Sequence, residues 1–364
     1  MLLFIILVLI LSIPAVQTKL GKIATNNVNE TYKTNIEIGR VGLQFNGDVE
    51  LKEILIKDYR LDTLIAVKEL NTSIVSFKKL YNNKLNFGDI DIQGLVFNIK
   101  TYIGSEDTNL DIFVDKFEDN NPKKEPSGFL LSSSDVSIED GTFRLSDENK
   151  ESPKILELND LNTNITDFVI KGPDVKTRIN TLRFYDSRGV RVKNLMANFE
   201  YTLDHMDFQN LNIETEQSEL SGDLRFDYKR EDLKEFTDKV NITAQFANSN
   251  IQLSELNVFF NEFGSNQKAA LSVDLSGTLN DLTANNLKVS TTTNTRIIGD
   301  VVFKNMFNKE ENNFVLDGNF QNLSSNYNDL TDLLPNILGP AISTVLSKVG
   351  NFNIVGSSYI TAQS

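Results

Sequence analysis

The chain has no cysteine, no tryptophan and a single histidine, His205. Without thiols there is no disulfide frame and no thiolate metal site, and one imidazole cannot furnish a histidine-rich metal centre. The missing thiols neither demand nor reject an oxidising compartment, because a chain of 364 residues can hold itself together by burial alone. Missing tryptophan removes the largest aromatic platform on which a sugar ring would stack. Basic clusters are also absent. The 36 Lys and Arg are outnumbered by 50 Asp and Glu, for a net charge of -14, so no stripe exists for a nucleic acid and no such partner is expected.

Catalytic signatures are lacking as well. There is no Gly-x-Ser-x-Gly elbow and no glycine-rich loop followed by lysine. His205 stands between Asp204 and Met206 and reads as a hydrogen-bonded or exposed side chain. Asp89, Asp91, Asp135, Glu139 and Asp140 fall in turns or on polar strand faces, and nothing selects a catalytic pair from them. No loop carries calcium-ligand spacing. No catalytic residue, metal or cofactor is expected, and the chain is not read as an enzyme.

What is present is a two-faced strand, repeated. Leu195, Ala197, Phe199, Tyr201 and Leu203 alternate with Met196, Asn198, Glu200 and Thr202. Leu220, Gly222, Leu224, Phe226 and Tyr228 alternate with Ser221, Asp223, Arg225 and Asp227. A period of two puts one set on each side of a sheet. The 24 Phe supply large apolar area with no polar atom to satisfy. The fold class is therefore mainly β, a long antiparallel sheet.

Further strands are expected over 36–45, with a phase shift at Gly39, and over 49–57, 61–67 and 87–100. Residues 67–80 fit a strand or a short helix. A hairpin is expected over 136–145, turning on Glu139-Asp140-Gly141, since Asp-Gly is a strong turn signal. Strands follow over 155–170, 175–184, 240–246, 251–260, 271–279, 297–303, 314–320 and 352–355. A turn is expected at 185–189 and a helical turn or charged loop at 231–237. Residues 118–130, polar and twice interrupted by proline, read as a loop inserted in one body, 36–327.

A short motif, apolar-x-Gly-x-apolar, recurs at Gly94, Gly222, Gly277, Gly299 and Gly318. These glycines fall on the apolar face, where a missing side chain lets a sheet curve. Residues 328–350 form an amphipathic helical excursion, split by Pro335 and Pro340 into two short helices with Gly339 at the joint. It either packs on the end of the sheet or lines the apolar interior. Sheet strands resume over 351–364.

The first residues, MLLFIILVLILSIPAV, are almost wholly apolar. Sixteen helical residues rise about 24 Å against a hydrocarbon core of about 30 Å. Two readings stand: a membrane anchor over 1–17 whose beginning is missing, or a cleaved signal with a poor site at Ile13-Pro14-Ala15. Residues 18–35 read as a polar connector.

The order of segments is informative. VQTKLGKIATNNVNE (16–30) precedes TNIEIGRVGLQFNGDVELKEILIKDYRLDTLIAVKEL (34–70). KLNFGDIDIQGLVFNIKTY (84–102) and DLLPNILGPAISTVLSKVGNFNIVG (332–356) follow. Together they resemble the N-terminal part of the TamB family, the translocation and assembly module subunit, in its Bacteroidetes-like form. That family belongs with the AsmA-like, bridge-like lipid-transfer proteins. The resemblance implies an inner-membrane, single-pass protein whose body lies in the periplasm, bent into a taco-like apolar groove. Phospholipid acyl chains would be its ligand, and an Omp85-type outer-membrane protein a partner through regions missing here. Outer-membrane protein assembly and phospholipid passage are the implied tasks. The side chains that would line the groove are Ile92, Phe97, Leu195, Phe199, Leu224, Phe226, Leu275 and Phe320. Another class of reading is a secreted β-sandwich or β-solenoid adhesin with no lipid transport.

Overall fold

The computed structural model describes residues 13–44, 47–74, 84–116, 130–152, 154–257, 262–264, 267–306, 313–342 and 347–361. The protein is mainly β and divides into two compact units, Met1–Arg188 and Gly189–Ser364. In the first, helix α1 (Pro14–Tyr32) leads into β1 (Asn35–Leu43), β2 (Asp48–Lys57), β3 (Thr63–Ile74) and β4 (Lys84–Thr101). Helix α2 (Asn109–Asp115) comes next, then β5 (Leu130–Asp147), β6 (Lys154–Lys171) and β7 (Asp174–Asp186). These strands are sheet neighbours in chain order. All pair antiparallel except β4 and β5, which run parallel. A parallel step needs a crossover of a dozen residues or more, and residues 102–129, with α2, supply it.

The second unit has β8 (Val190–Tyr201), β9 (His205–Thr215), β10 (Glu219–Asp227), β11 (Asn241–Gln252) and β12 (Lys268–Gly277). It continues with β13 (Asp281–Thr291), β14 (Arg296–Lys304), β15 (Val315–Ser325) and β16 (Phe352–Thr361). Each pairs antiparallel with the next. A 3-10 turn (Arg230–Glu235) and four short helices punctuate the strands: α3 (Phe236–Lys239), α4 (Leu253–Leu256), α5 (Tyr327–Thr331) and α6 (Leu338–Ala341).

Several expectations need correcting. The sheet is not wholly antiparallel, given β4 and β5. The hairpin at Asp140-Gly141 does not form: β5 runs straight through, with Asp140 left-handed at φ 53°. The strand expected over 251–260 breaks, because β11 takes Ile251 and the chain then turns into α4. The ambiguous stretch after Val67 is strand as far as Ile74, and 75–80 lie outside the described residues. So does the loop 118–130 up to its last position. Strand β13, absent from the expected set, is fully formed. Gly339 lies inside α6 and is not a joint; the break between the short helices falls before it, at 332–337.

The N-terminal expectation also changes. The supposed connector 18–35 is helical as far as Tyr32, so the boundary at residue 17 falls inside α1. Among the described residues no helix is long and apolar enough to cross a membrane; residues 1–12 of the apolar run lie outside them. Helix α1 instead lies along the outer edge of β1. Asn29 donates from Nδ2 to the Ile36 carbonyl (2.8 Å) and accepts the Ile36 N–H on Oδ1 (2.9 Å). Gln17 does the same to Leu43, at 2.6 and 3.0 Å. A side-chain amide has the donor and acceptor of a peptide, so these two residues stand in for a neighbouring strand and blunt the edge. Gly21 permits the approach: a Cβ there would lie 2.4 Å from Val41 Cγ2. Gln17→Ala with Asn29→Ala should remove about 1 kcal/mol at each pairing, roughly fivefold faster amide exchange at Ile36 and Leu43. Hydrogen exchange read by NMR checks it.

A buried carboxylate ties the β2–β3 turn to the crossover. Asp58, 1% exposed, accepts the Arg60 and Asp62 N–H groups on Oδ1 at 2.9 and 3.1 Å. Its Oδ2 accepts from the Tyr102 hydroxyl (2.7 Å) and Asn109 Nδ2 (3.0 Å). The Tyr102 hydroxyl is also 2.8 Å from Asp62 Oδ2. Burial, then the neighbouring carboxylates, push the Tyr102 hydroxyl far up, so it stays a donor. The hydrogen bond from Tyr102, then that from Lys100, hold the Asp62 carboxyl below its ordinary value. A depressed acid stabilises the fold above its unfolded pKa and loses that contribution as pH falls through the folded value. Tyr102→Phe should therefore cost about 1–3 kcal/mol at neutral pH through Asp58, and flatten the loss of stability below about pH 4. Urea unfolding at several pH values measures both.

Candidate functional site

The apolar face is assembled across strands, residue by residue. In the second unit Phe199 faces Phe208, Phe208 faces Leu224, and the row continues through Ala244, Leu275, Ala284, Val301, Gly318 and Ser358. Every strand from β8 to β16 gives one member. A second row runs beside it: Tyr201, Met206, Phe226, Ile242, Gly277, Leu282, Phe303, Leu316 and Ile360. Directly opposed residues point to the same side, so each row is a continuous ladder. The Phe199 and Phe208 rings are 4.8 Å apart between centroids, within the range of favourable aromatic pairing.

The first unit repeats the device. Ile36, Ile56, Ile65, Phe97, Phe143 and Leu158 are opposed in turn. Val41, Leu51, Leu70, Ile92 and Ile138 form a second row.

Beyond the first row of the second unit lies a step that simple alternation does not allow. In β11 Phe246 and Ser249 turn inward while Ala247 and Asn248 are both exposed. The same holds in β9 for Phe208 and Leu211 around Gln209 and Asn210, and in β13 for Ala284 and Leu287 around Asn285 and Asn286. Each is a bulge, with a register shift against its neighbour. Asn210, Asn248 and Asn286 are left-handed, at φ 52°, 53° and 52°. Asparagine tolerates that conformation better than most side chains. The bulged N–H of Asn210 donates to Asp223 Oδ1 (2.7 Å), that of Asn286 to Asp300 Oδ1 (2.8 Å), and that of Asn248 to Ser272 Oγ (3.2 Å). In the first unit Glu139 and Asp140, both exposed, make the same step between Ile138 and Gly141. Gly94, left-handed at φ 64°, makes it between Ile92 and Leu95.

The candidate residues can now be placed. Ile92 and Phe97 belong to the two rows of the first unit; Phe199, Leu224 and Leu275 to the first row of the second; Phe226 to the next. Leu195 opposes Ile213, which opposes Leu220. All seven are half-buried. Phe320 differs: it is 5% exposed, under a second layer. The glycines serve close approach. Gly222 opposes Phe246 and Gly299 opposes Phe320; a Cβ at either would lie within 2.4 Å of a backbone oxygen. Gly318 lies under the Phe320 ring, where a Cβ would be 2.4 Å from Cζ. Gly277 is the last residue of β12.

The second layer covers one end. Leu253, Leu330, Leu333, Ile337, Leu338 and Ile342 bury themselves against Val301, Leu316, Phe320 and Leu323. The Gly264 N–H donates to the Leu333 carbonyl (3.0 Å), and Gln267 Nε2 to the Asp329 carbonyl (3.3 Å), tethering the helical segment. So the excursion both packs on the sheet and lines what remains of its interior.

His205 Nδ1 sits 2.6 Å from Asp204 Oδ1 and 2.9 Å from Thr202 Oγ1, in the turn between β8 and β9. Among the described residues no cluster of His, Cys, Asp or Glu is arranged to hold a metal. Phe208, Ala284 and the bulge asparagines were not singled out by the sequence reading. The signal of the bulges is an extra residue inside an alternating strand, closed by asparagine at Asn210, Asn248 and Asn286. No protein-family model matches the chain, and no curated protein matches it. Asn248→Val should cost about 1–2 kcal/mol for a left-handed branched residue, while Asn248→Gly stays near neutral; urea denaturation separates the two.

Proposed function

We propose that the apolar face is a hydrocarbon-binding surface along which phospholipid acyl chains pass, in an envelope protein of the TamB, AsmA-like type. The observation that carries this reading is the pair of cross-strand ladders from β8 to β16, whose large members Phe199, Leu224, Phe226 and Leu275 stay half-buried. Moving a methylene out of water gains about 0.8 kcal/mol. Apolar rows offer that gain at every step without directional bonds, so a chain is held in total yet slides locally. In the first unit the three-residue steps Ile38–Val41, Leu51–Ile54, Val67–Leu70 and Ile92–Leu95 are directly opposed, so β1–β4 bend at one level, whereas in the second unit the bulges fall on alternate strands, β9, β11 and β13. That supports a sheet folded along a crease, with the ladders inside it. A sandwich would set a second sheet against the apolar face, whereas within each unit the strands follow one another edge to edge. The work is binding and passage, not catalysis. On this reading the run Met1–Val16 meets the inner membrane, the body stands in the periplasm, and an Omp85-type outer-membrane protein is a partner.

The test is photo-crosslinking. A benzophenone residue placed at Phe199, Leu224 or Phe226, in protein mixed with phosphatidylethanolamine and phosphatidylglycerol vesicles, is expected to capture lipid. The same group at Asp223 or Arg225, on the other face, is expected not to. Protein adducts alone at the first three positions remove the mechanism.

A further inference from the structure

Where α5 and α6 cover β13–β16, packing is incomplete. A cavity of about 330 Å³ remains under the helical segment. Protein interiors are ordinarily close-packed, with few voids larger than a water molecule, and this volume lies at the lower end of ligand pockets, about 300–1,000 Å³. Val301, Phe303 and Leu316 line it from the sheet, Leu330 and Leu338 from the cover, and Ile360 from β16. Among the described residues no charged side chain lines it, and the hydroxyl-bearing ones, Ser358, Tyr359 and Thr361, all stand on β16. Tyr359 is 69% exposed and Thr361 is exposed, so the cavity meets solvent along that strand.

Both ladders end here. Val301 belongs to one, and Phe303, Leu316 and Ile360 to the other. The walls of an apolar pocket this large forfeit dispersion contacts unless something apolar fills it. At about 30 Å³ for a water-sized group, it has room for about eleven methylenes in line.

We propose that this cavity is a terminal pocket for the tail of one unbranched hydrocarbon chain, holding about eleven carbons. The proposal rests on the reading of the apolar face as a hydrocarbon-binding surface, but differs from it in one respect: a closed pocket has a fixed capacity and an open face does not.

The measurement is a chain-length series. Saturated fatty acids from six to sixteen carbons displace cis-parinaric acid, whose fluorescence rises in apolar surroundings. A closed pocket gives an affinity that climbs about fourfold per methylene and levels off near eleven or twelve carbons. Leu338→Ala enlarges the cavity and should move the plateau to longer chains; Val301→Trp fills it and should move the plateau to shorter ones or abolish binding. An affinity that climbs without a break to sixteen carbons overturns the pocket. So does a plateau that stays put in Leu338→Ala protein with a native circular dichroism spectrum. Lipid capture at Leu224 without a plateau sinks the pocket and leaves the proposed function standing. A plateau without lipid capture at Leu224 does the reverse.

Discussion

Phase is the constraint on which everything else rests. Side chains on a strand alternate faces with a period of two, so a slip of one residue sends a whole apolar set to the wrong side. Strands of 18 residues, such as β4, β5 and β6, are long enough for such an error to matter. They also twist, and a long flat sheet is unfavourable. The chain meets both demands with bulges that consume two outward residues at once. Ile138 and Gly141, or Phe246 and Ser249, then stay on one face across a three-residue step. In the first unit the steps of β1–β4 are directly opposed, so the ladders on either side remain in line.

Keeping the rows in line creates a surface with unusual properties for a protein of this charge. The polar side carries the acids, paired locally in contacts such as Arg225 with Asp227 at 2.7 Å. The apolar side carries rows dominated by Leu, Ile and Phe, with small members such as Ala244, Gly277 and Ala284 among them. In the second unit Leu330, Leu333 and Leu338 pack down on Leu316 and Phe320 and cover the face there. In the first unit the amides of Gln17 and Asn29 imitate a strand along β1, which blunts an edge that could recruit another sheet.

Much of this was legible beforehand. The alternation over 190–228 marked β8 and β10, and the run over 87–100 marked β4, because apolar spacing is a local property. The Asp-Gly pair at Asp140 was misleading for a physical reason: the left-handed backbone that makes a tight turn also makes a bulge. Which one forms depends on whether a partner strand continues past it, and here β6 does. Strand β13 escaped notice because Thr283, Asn285 and Asn286 dilute its apolar set, and only pairing with β12 and β14 fixes it. The helix α1 was hidden by asparagine and threonine, poor helix formers, whose side chains are there to bond the edge of β1.

By itself the sequence determined the two-faced strands and the hydrocarbon character of one side, since each follows from which residues stand next to one another. Tertiary structure alone decided which rows align, that β4 and β5 run parallel, that Phe320 is roofed while Phe199 is not, and that a cavity is left beneath Leu338. Those depend on register and on the meeting of segments far apart in the chain, and a period of two carries no information about which strand will lie alongside.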